Sequence, residues 1–264
     1  MADALEITDV NTWLGSWPFD YLHEDTAAKL DALLASEGVS MAYVSTPEAA
    51  FNPDYIEANR RLIRRVRPYK RLQPVVTLDP TIGGWEEVLA EYGENGMRAV
   101  KLMPGYHDYR CLSADAASLV ETLEVRDMVL IVQIRIADER THHRLCQIPS
   151  TPVSDIIELA GRSPKLSIVA MCAQFQEAVE IAKSASNVSF DLSHIEKMRT
   201  LPSFLRQVPV ERVMFGSHAP FLTLRSAKMK LMAPGISEVN RRNIACENAR
   251  RIFRSSVPKR ATSL

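Results

Sequence analysis

The stretch MVLIVQIRI (128–136) decides the fold, because valine, leucine and isoleucine fill successive positions instead of alternating with polar residues. A strand wetted on one face alternates, whereas a parallel strand buried between an inner core and a helix layer is apolar on both faces. Seven further runs of this kind follow the same logic: LEITDVNT (5–12), MAYVST (41–46), LQPVVTL (72–78), MRAVKLM (97–103), LSIVAMC (166–172), NVSFDL (187–192) and RVMFG (212–216). Between them lie helical patterns with charges on one face. DTAAKLDALLASEG (25–38) opens with acid and ends on glycine, and DYIEANRRLIRRV (54–66), TPVSDIIELAG (151–161) and FQEAVEIAKSA (175–185) repeat the theme. Eight alternations in one domain predict an α/β fold, a single-domain (β/α)8 TIM barrel over 1–254, with 255–264 (SSVPKRATSL, the last ten residues) a frayed tail.

The bulk numbers agree with one large domain. The chain has 264 residues, and its 32 lysines plus arginines balance 32 aspartates plus glutamates. That balance gives no global field for nucleic acid or for an acidic membrane surface. Four cysteines, Cys111, Cys146, Cys172 and Cys246, lie far apart without a CxxC pair. They read as reduced thiols in a cytoplasm. An acidic N-terminus and the lack of any bilayer-length apolar run predict a soluble, cytoplasmic protein.

In such a barrel the chemistry gathers at the C-terminal ends of the strands. Position alone selects Asp9, Asn11 and Trp13, then Thr46, Asp79, Lys101, His107, Gln133, Arg135, Cys172, Asp191, His194 and His218. In VMFGSHAPFL (213–222) an apolar run ends in Gly-Ser and presents His218 at the barrel rim.

Several stretches together resemble the amidohydrolase-related family, the metal-dependent hydrolases and decarboxylases of the amidohydrolase superfamily. They are DVNTWLG (9–15), FNPDYIEANRRLIRRVRPYKRLQPVVTLDP (51–80), GMRAVKLMPGYHDY (96–109), RVMFGSHAP (212–220) and NRRNIACENARRIF (240–253). The resemblance implies a metal site built from an Asp-x-His-x-His opening, a histidine at the end of each of strands five and six, and an aspartate after strand eight. Here the opening aspartate is Asp9, but Asn11 and Trp13 stand at the two histidine positions. Gln133, Cys172 and His218 stand at the others. An indole cannot ligate a metal, so no inherited metal and no other cofactor is expected. A rebuilt zinc site from Asp9, Cys172 and His218 is an alternative, thiolate and imidazole both being zinc ligands.

Without a metal, His218 can serve as general base or acid, or it can be a satisfied core histidine held by a backbone carbonyl. Asn11 and Gln133 would steady an oxyanion. Lys101, Arg135 and Arg140 could converge on an anion. Arg135 lies two residues beyond Gln133, so regular alternation sends both inward. Trp13, with Trp17 and Phe19, either stacks on a planar substrate or fills the vacated site. His107 in GYHDY frames a pocket or sits on the surface, while adjacent His142 and His143 read as lid or surface, and His194 reads as structural.

The expected function is therefore hydrolysis, less readily decarboxylation, of a small carboxylate-bearing molecule such as a lactone or cyclic amide. The substrate is a small anionic molecule; neither nucleic acid nor membrane is a partner, and the resemblance is compatible with a homodimer. Two alternatives stand beside this: a non-catalytic barrel that binds a ligand or partner, and the rebuilt metal site.

Overall fold

The structure, a computed structural model, describes residues 5–94 and 97–253. The expected tail over 255–264 lies outside the described residues. All eight apolar runs become parallel strand positions. They are β1 (Ile7–Trp13), β2 (Val39–Ser45), β3 (Leu72–Pro74) with β4 (Val76–Thr77), β5 (Ala99–Leu102), β6 (Val129–Gln133), β7 (Ser167–Met171), β8 (Val188–Asp191) and β9 (Val213–Met214). The third position is split because Pro74 has no N–H to give to the ladder. Val75 resumes the pairing, donating to the Val44 carbonyl at 2.8 Å.

Pairing runs β1-β2-β3 and β4-β5-β6-β7-β8-β9. Backbone bonds from Val10 to the Phe215 carbonyl (3.0 Å), from Trp13 to the Ala219 carbonyl (2.8 Å) and from His218 to the Asn11 carbonyl (2.8 Å) join the last strand to the first. The ring is a (β/α)8 TIM barrel. β9 is short because the next N–H, that of Phe215, goes to the Ile244 carbonyl (2.8 Å) in a π-turn over Asn243–Glu247.

The helices are α1 (Ala27–Ser36), α2 (Tyr55–Val66), α3 (Trp85–Glu94), α4 (Ala114–Val125), α5 (Val153–Arg162), α6 (Phe175–Ser184), α7 (Thr200–Phe204), α8 (Leu224–Met232), α9 (Glu238–Arg242) and α10 (Asn248–Phe253), and the four quoted patterns become α1, α2, α5 and α6. Capping sets their starts. Asp54 accepts from the Glu57 N–H (2.9 Å), and Gln174 and Glu177 form a capping box on α6.

Two apolar layers result. The outer one packs strands against helices. The inner one gathers Val10, Ala99, Val129, Ile131, Val169 and Met214 with Ile252 and Phe253 of α10, which closes the end opposite the site. Among the described residues no helix is long and apolar enough to cross a membrane.

Candidate functional site

β1 turns Asp9, Asn11 and Trp13 to the barrel axis, and all three are fully buried. Asp9 Oδ1 accepts the Asn11 N–H (3.1 Å) and the Ser217 N–H (3.0 Å), which ties β1 to the loop after β9. Burial drives the Asp9 carboxyl up to about 7, against the pull of those donors. Gly216 allows the close approach, because a Cβ there would lie 2.7 Å from the Asp191 side chain and 3.2 Å from Asn11 Cβ.

Asp191, at the end of β8, organises the centre. Its Oδ1 accepts the Cys172 N–H (2.8 Å), and its Oδ2 accepts Asn11 Nδ2–H (3.0 Å) and the Ser193 N–H (3.3 Å). Since a carboxylate only accepts, Asn11 must present its NH2 group there. That same NH2 reaches Cys172 Sγ at 3.3 Å. Gln133 is fixed in the same way: its Nε2 donates to the Arg135 carbonyl (2.6 Å) and to Cys172 Sγ (3.0 Å). Ser193 Oγ adds a third donor to the sulfur at 3.4 Å.

His218 is fully buried and bonded at both ring nitrogens. Nε2 faces the Ile136 carbonyl (2.7 Å), Nδ1 accepts Trp13 Nε1–H (3.0 Å), and Cys172 Sγ lies 3.3 Å from Nδ1. A carbonyl only accepts and an indole only donates, so the ring is held as the Nε2–H tautomer. This is the satisfied core histidine of the two sequence readings.

Trp13 fills the space where the strand-one ligands of a metal would project. Its ring stands edge-on to His218 (5.7 Å) and to Phe221 (5.8 Å). Lys101 Nζ lies 4.0 Å above its face. Burial drives that amine down to about 7, with Cys172 and Asp191 opposing. Lys101 is thus interior, beneath Trp13, and outside the residues that line the open cavity.

Arg135 does not join Gln133 on the inner face, which corrects the alternation argument. β6 ends at Gln133, and beyond it the chain turns. Arg135 then grips Glu177 through Nη1 (2.8 Å) and Nη2 (2.5 Å), the Cys172 carbonyl (2.7 Å) and Ser150 Oγ (3.0 Å). It clamps α6 to the mouth and has no free fork for a ligand. Arg140 sits on the rim, chelating Asp138 at 2.9 and 3.1 Å. His107 lies apart, with Nε2 at 3.0 Å from the Ala49 carbonyl and Nδ1 at 3.8 Å from Asp79.

Above this packed centre opens a cavity of about 950 Å³ at the C-terminal face. Trp17, Phe175, Phe221 and Ile136 supply apolar walls, and Ser193 and His194 lie in its lining. His194 Nδ1 is 3.1 Å from Ser193 Oγ, which in turn lies 3.4 Å from Cys172 Sγ, and the His194 and His218 rings meet edge-on at 5.3 Å. Burial pulls the His194 imidazole down, but the Cys172 sulfur and the Asp191 carboxylate outweigh it, and the ring sits above its ordinary value. Burial pushes the Cys172 thiol up, yet the imidazoles beside it outweigh that and hold it well below its usual range; with His218 neutral, the positive charge in this balance falls to His194. With His218 fixed by its indole and carbonyl partners, His194 is the ring placed to hold the pair's proton. Sequence reasoning missed this pairing. The signal was Ser193-His194, two and three residues after Asp191, where His194 reads as structural.

The residue pattern, the barrel and the placement of its mouth can be set beside known proteins. A family model described as amidohydrolase matches residues 12–255. The chain belongs to the amidohydrolase family. This amidohydrolase matches no curated protein. Among solved structures it is similar to 2,6-dihydroxybenzoate decarboxylase from Rhizobium, with TM-score 0.74 and 16% identity over 95% of this chain and 99% of that one. It is also similar to a dihydroxybenzoic acid decarboxylase from Polaromonas sp. JS666 solved with manganese and 2-nitroresorcinol, with TM-score 0.75 and 14% identity over 95% and 97%. A probable 2-pyrone-4,6-dicarboxylic acid hydrolase from Acinetobacter baumannii aligns with TM-score 0.67 and 12% identity over 94% and 98%.

The residues at the family's metal positions do not fit a divalent ion. Two amides turn N–H groups toward the sulfur, an indole occupies a third position, and the lone pair at His218 Nδ1 is already taken by Trp13. Among the described residues no group of three His, Cys, Asp or Glu is arranged to hold a metal, the Asp9–Cys172–His218 trio included.

Proposed function

We propose that this amidohydrolase hydrolyses a small planar carboxylate carrying a lactone or similarly activated ester, without a resident metal, in the cavity above the barrel. The observation that carries this reading is that His194 lines that cavity and is linked to Cys172 behind it through Ser193 Oγ, 3.1 Å from His194 Nδ1 and 3.4 Å from the sulfur. An acid–base group facing open space, with an anionic partner setting its proton, is the minimum that hydrolysis of a reactive ester requires. The aromatic walls suit a flat ring. The solved proteins named above are dihydroxybenzoate decarboxylases and a probable pyrone-dicarboxylic acid hydrolase, names that denote ring carboxylates, which supports the substrate class.

In this scheme the Cys172–His194 pair holds one proton, carried on the imidazole facing the cavity. The His194 N–H bonds the substrate carbonyl while water attacks its carbon. The ring C–O bond breaks, His194 delivers its proton to the leaving oxygen, and the proton lost by the water restores the pair. Charge develops next to a cation in a partly dry site, where it is stabilised most. Arg135 has no part in holding the anion, and His218 positions Trp13 and Cys172.

A second reading is favoured by Trp13, which packs the old centre shut: the barrel binds such a ligand without turning it over. A panel of lactones and aromatic carboxylates, offered to metal-stripped protein, separates the two. Turnover that disappears in His194→Ala supports hydrolysis, saturable binding without turnover supports the binding barrel, and turnover unchanged in His194→Ala removes His194 from the chemistry.

A further inference from the structure

We infer that Cys172 is a site of oxidation by hydrogen peroxide, giving a sulfenic acid whose single O–H has an unpartnered acceptor in one of the two amides held against the sulfur, Asn11 or Gln133. The inference does not rest on the hydrolytic reading, since peroxide reactivity would persist if the cavity turned over no ester.

Three donors aim at one sulfur: Asn11 Nδ2 (3.3 Å), Gln133 Nε2 (3.0 Å) and Ser193 Oγ (3.4 Å). Such a set stabilises negative charge on sulfur, the form that attacks peroxide. The oxygens of the same two amides, Asn11 Oδ1 and Gln133 Oε1, are buried and have no hydrogen-bond partner. Asn11 is 0% and Gln133 1% exposed, so bulk water does not compensate them. An orphaned buried acceptor is costly and calls for a missing donor. A thiolate provides none. A sulfenic S–O–H provides a strong one, on the atom these two amides already hold.

Access follows from the floor of the cavity. Ser193 and His194 line the cavity and Ser193 also contacts Cys172, so the sulfur lies one side chain below a space that peroxide can enter. In the reaction the sulfur attacks one peroxide oxygen, an S–O bond forms and the O–O bond breaks. Sulfur is oxidised by two electrons, peroxide is reduced, and the departing hydroxide takes the proton of the His194 imidazolium to become water. The groups bonded to the sulfur include no second thiol, so the product has no neighbour with which to form a disulfide.

Cys111 is an internal control. It is also buried, at 2% exposure, but burial pushes its thiol up to about 12. The full chain would be treated with hydrogen peroxide in the presence of a sulfenic-acid trap and each cysteine quantified by peptide mass spectrometry. Trapping at Cys172 should outpace that at Cys111 by at least about tenfold in the folded protein, and the difference should vanish in guanidinium. Cys172 left unmodified, or modified no faster than Cys111, overturns the inference. Replacing both acceptors, Asn11→Ala with Gln133→Ala, should shorten the life of the sulfenic acid and send Cys172 on to the sulfinic form. If that variant does not fold, the wild-type mapping decides alone.

Discussion

Cys172 shows how one side chain can reassign its neighbours. Its sulfur turns Asn11 and Gln133, which by position alone would face a substrate, into donors directed at itself. It also sets the proton on His194. Replacing it tests that coupling without any substrate. Ser193 and His218 touch the His194 ring, and the charged groups that act on it are Cys172, Asp191, Arg135, Asp138 and Glu177. Of these, Cys172 is the first to raise the ring and Arg135 lowers it. Cys172→Ser removes an anion, so the imidazolium becomes easier to deprotonate and the His194 titration midpoint should fall, read by NMR of the imidazole. Under the hydrolytic reading the same change moves the alkaline limb of turnover to lower pH, because the protonated ring is the active form. A midpoint that stays put or rises would show that the sulfur does not carry the charge.

The strands and helices were legible in the sequence because each is set by local pattern. A buried parallel strand must be apolar on both faces, and the runs at 128–136 and 166–172 became β6 and β7. The site was less legible, since it depends on where strands end and on what their neighbours accept. Arg135 was expected inward by alternation, but β6 stops at Gln133, and Glu177 of α6, already committed to the capping box, draws the guanidinium outward. His194 could not be joined to Cys172 by spacing, because the two meet only through the adjacency of β7 and β8. The loop after β9 carries a further constraint at Gly216. Gly216→Ala would press a methyl group onto Asp191 at a distance that real side chains do not adopt, and tightly against Asn11. Because both neighbours are held by hydrogen bonds, the substitution should cost about 1–3 kcal/mol in urea unfolding. Unchanged stability would mean that this centre is looser than its bonds imply.

The barrel as a whole buries two ionisable groups that stability alone would not select. Burial lowers Lys101 from 10.5 to about 7 and raises Asp9 from 3.8 to about 7. Between pH 7 and 10 the unfolded chain holds a proton on Lys101 that the folded chain has released, so unfolding takes up a proton and stability rises with pH across that window. For Asp9 the folded chain keeps a proton that the unfolded chain loses, so stability falls as pH rises from about 4 to 7. Neutral pH is therefore where both groups weigh on the fold. Lys101→Met keeps the unbranched length and the contact with Trp13 while deleting the ammonium. It should stabilise the protein by about 1–3 kcal/mol at pH 7, in line with the gain seen when buried charge is replaced by packed apolar volume. At pH 10 the wild-type amine is neutral when folded and about one quarter neutral when unfolded, so most of the difference between the two proteins should be gone. Thermal unfolding of both at the two pH values reads the difference directly. A variant that melts below the wild type at pH 7 would show that the ammonium is compensated inside the barrel, and that its charge belongs to the packed centre as a stabilising element.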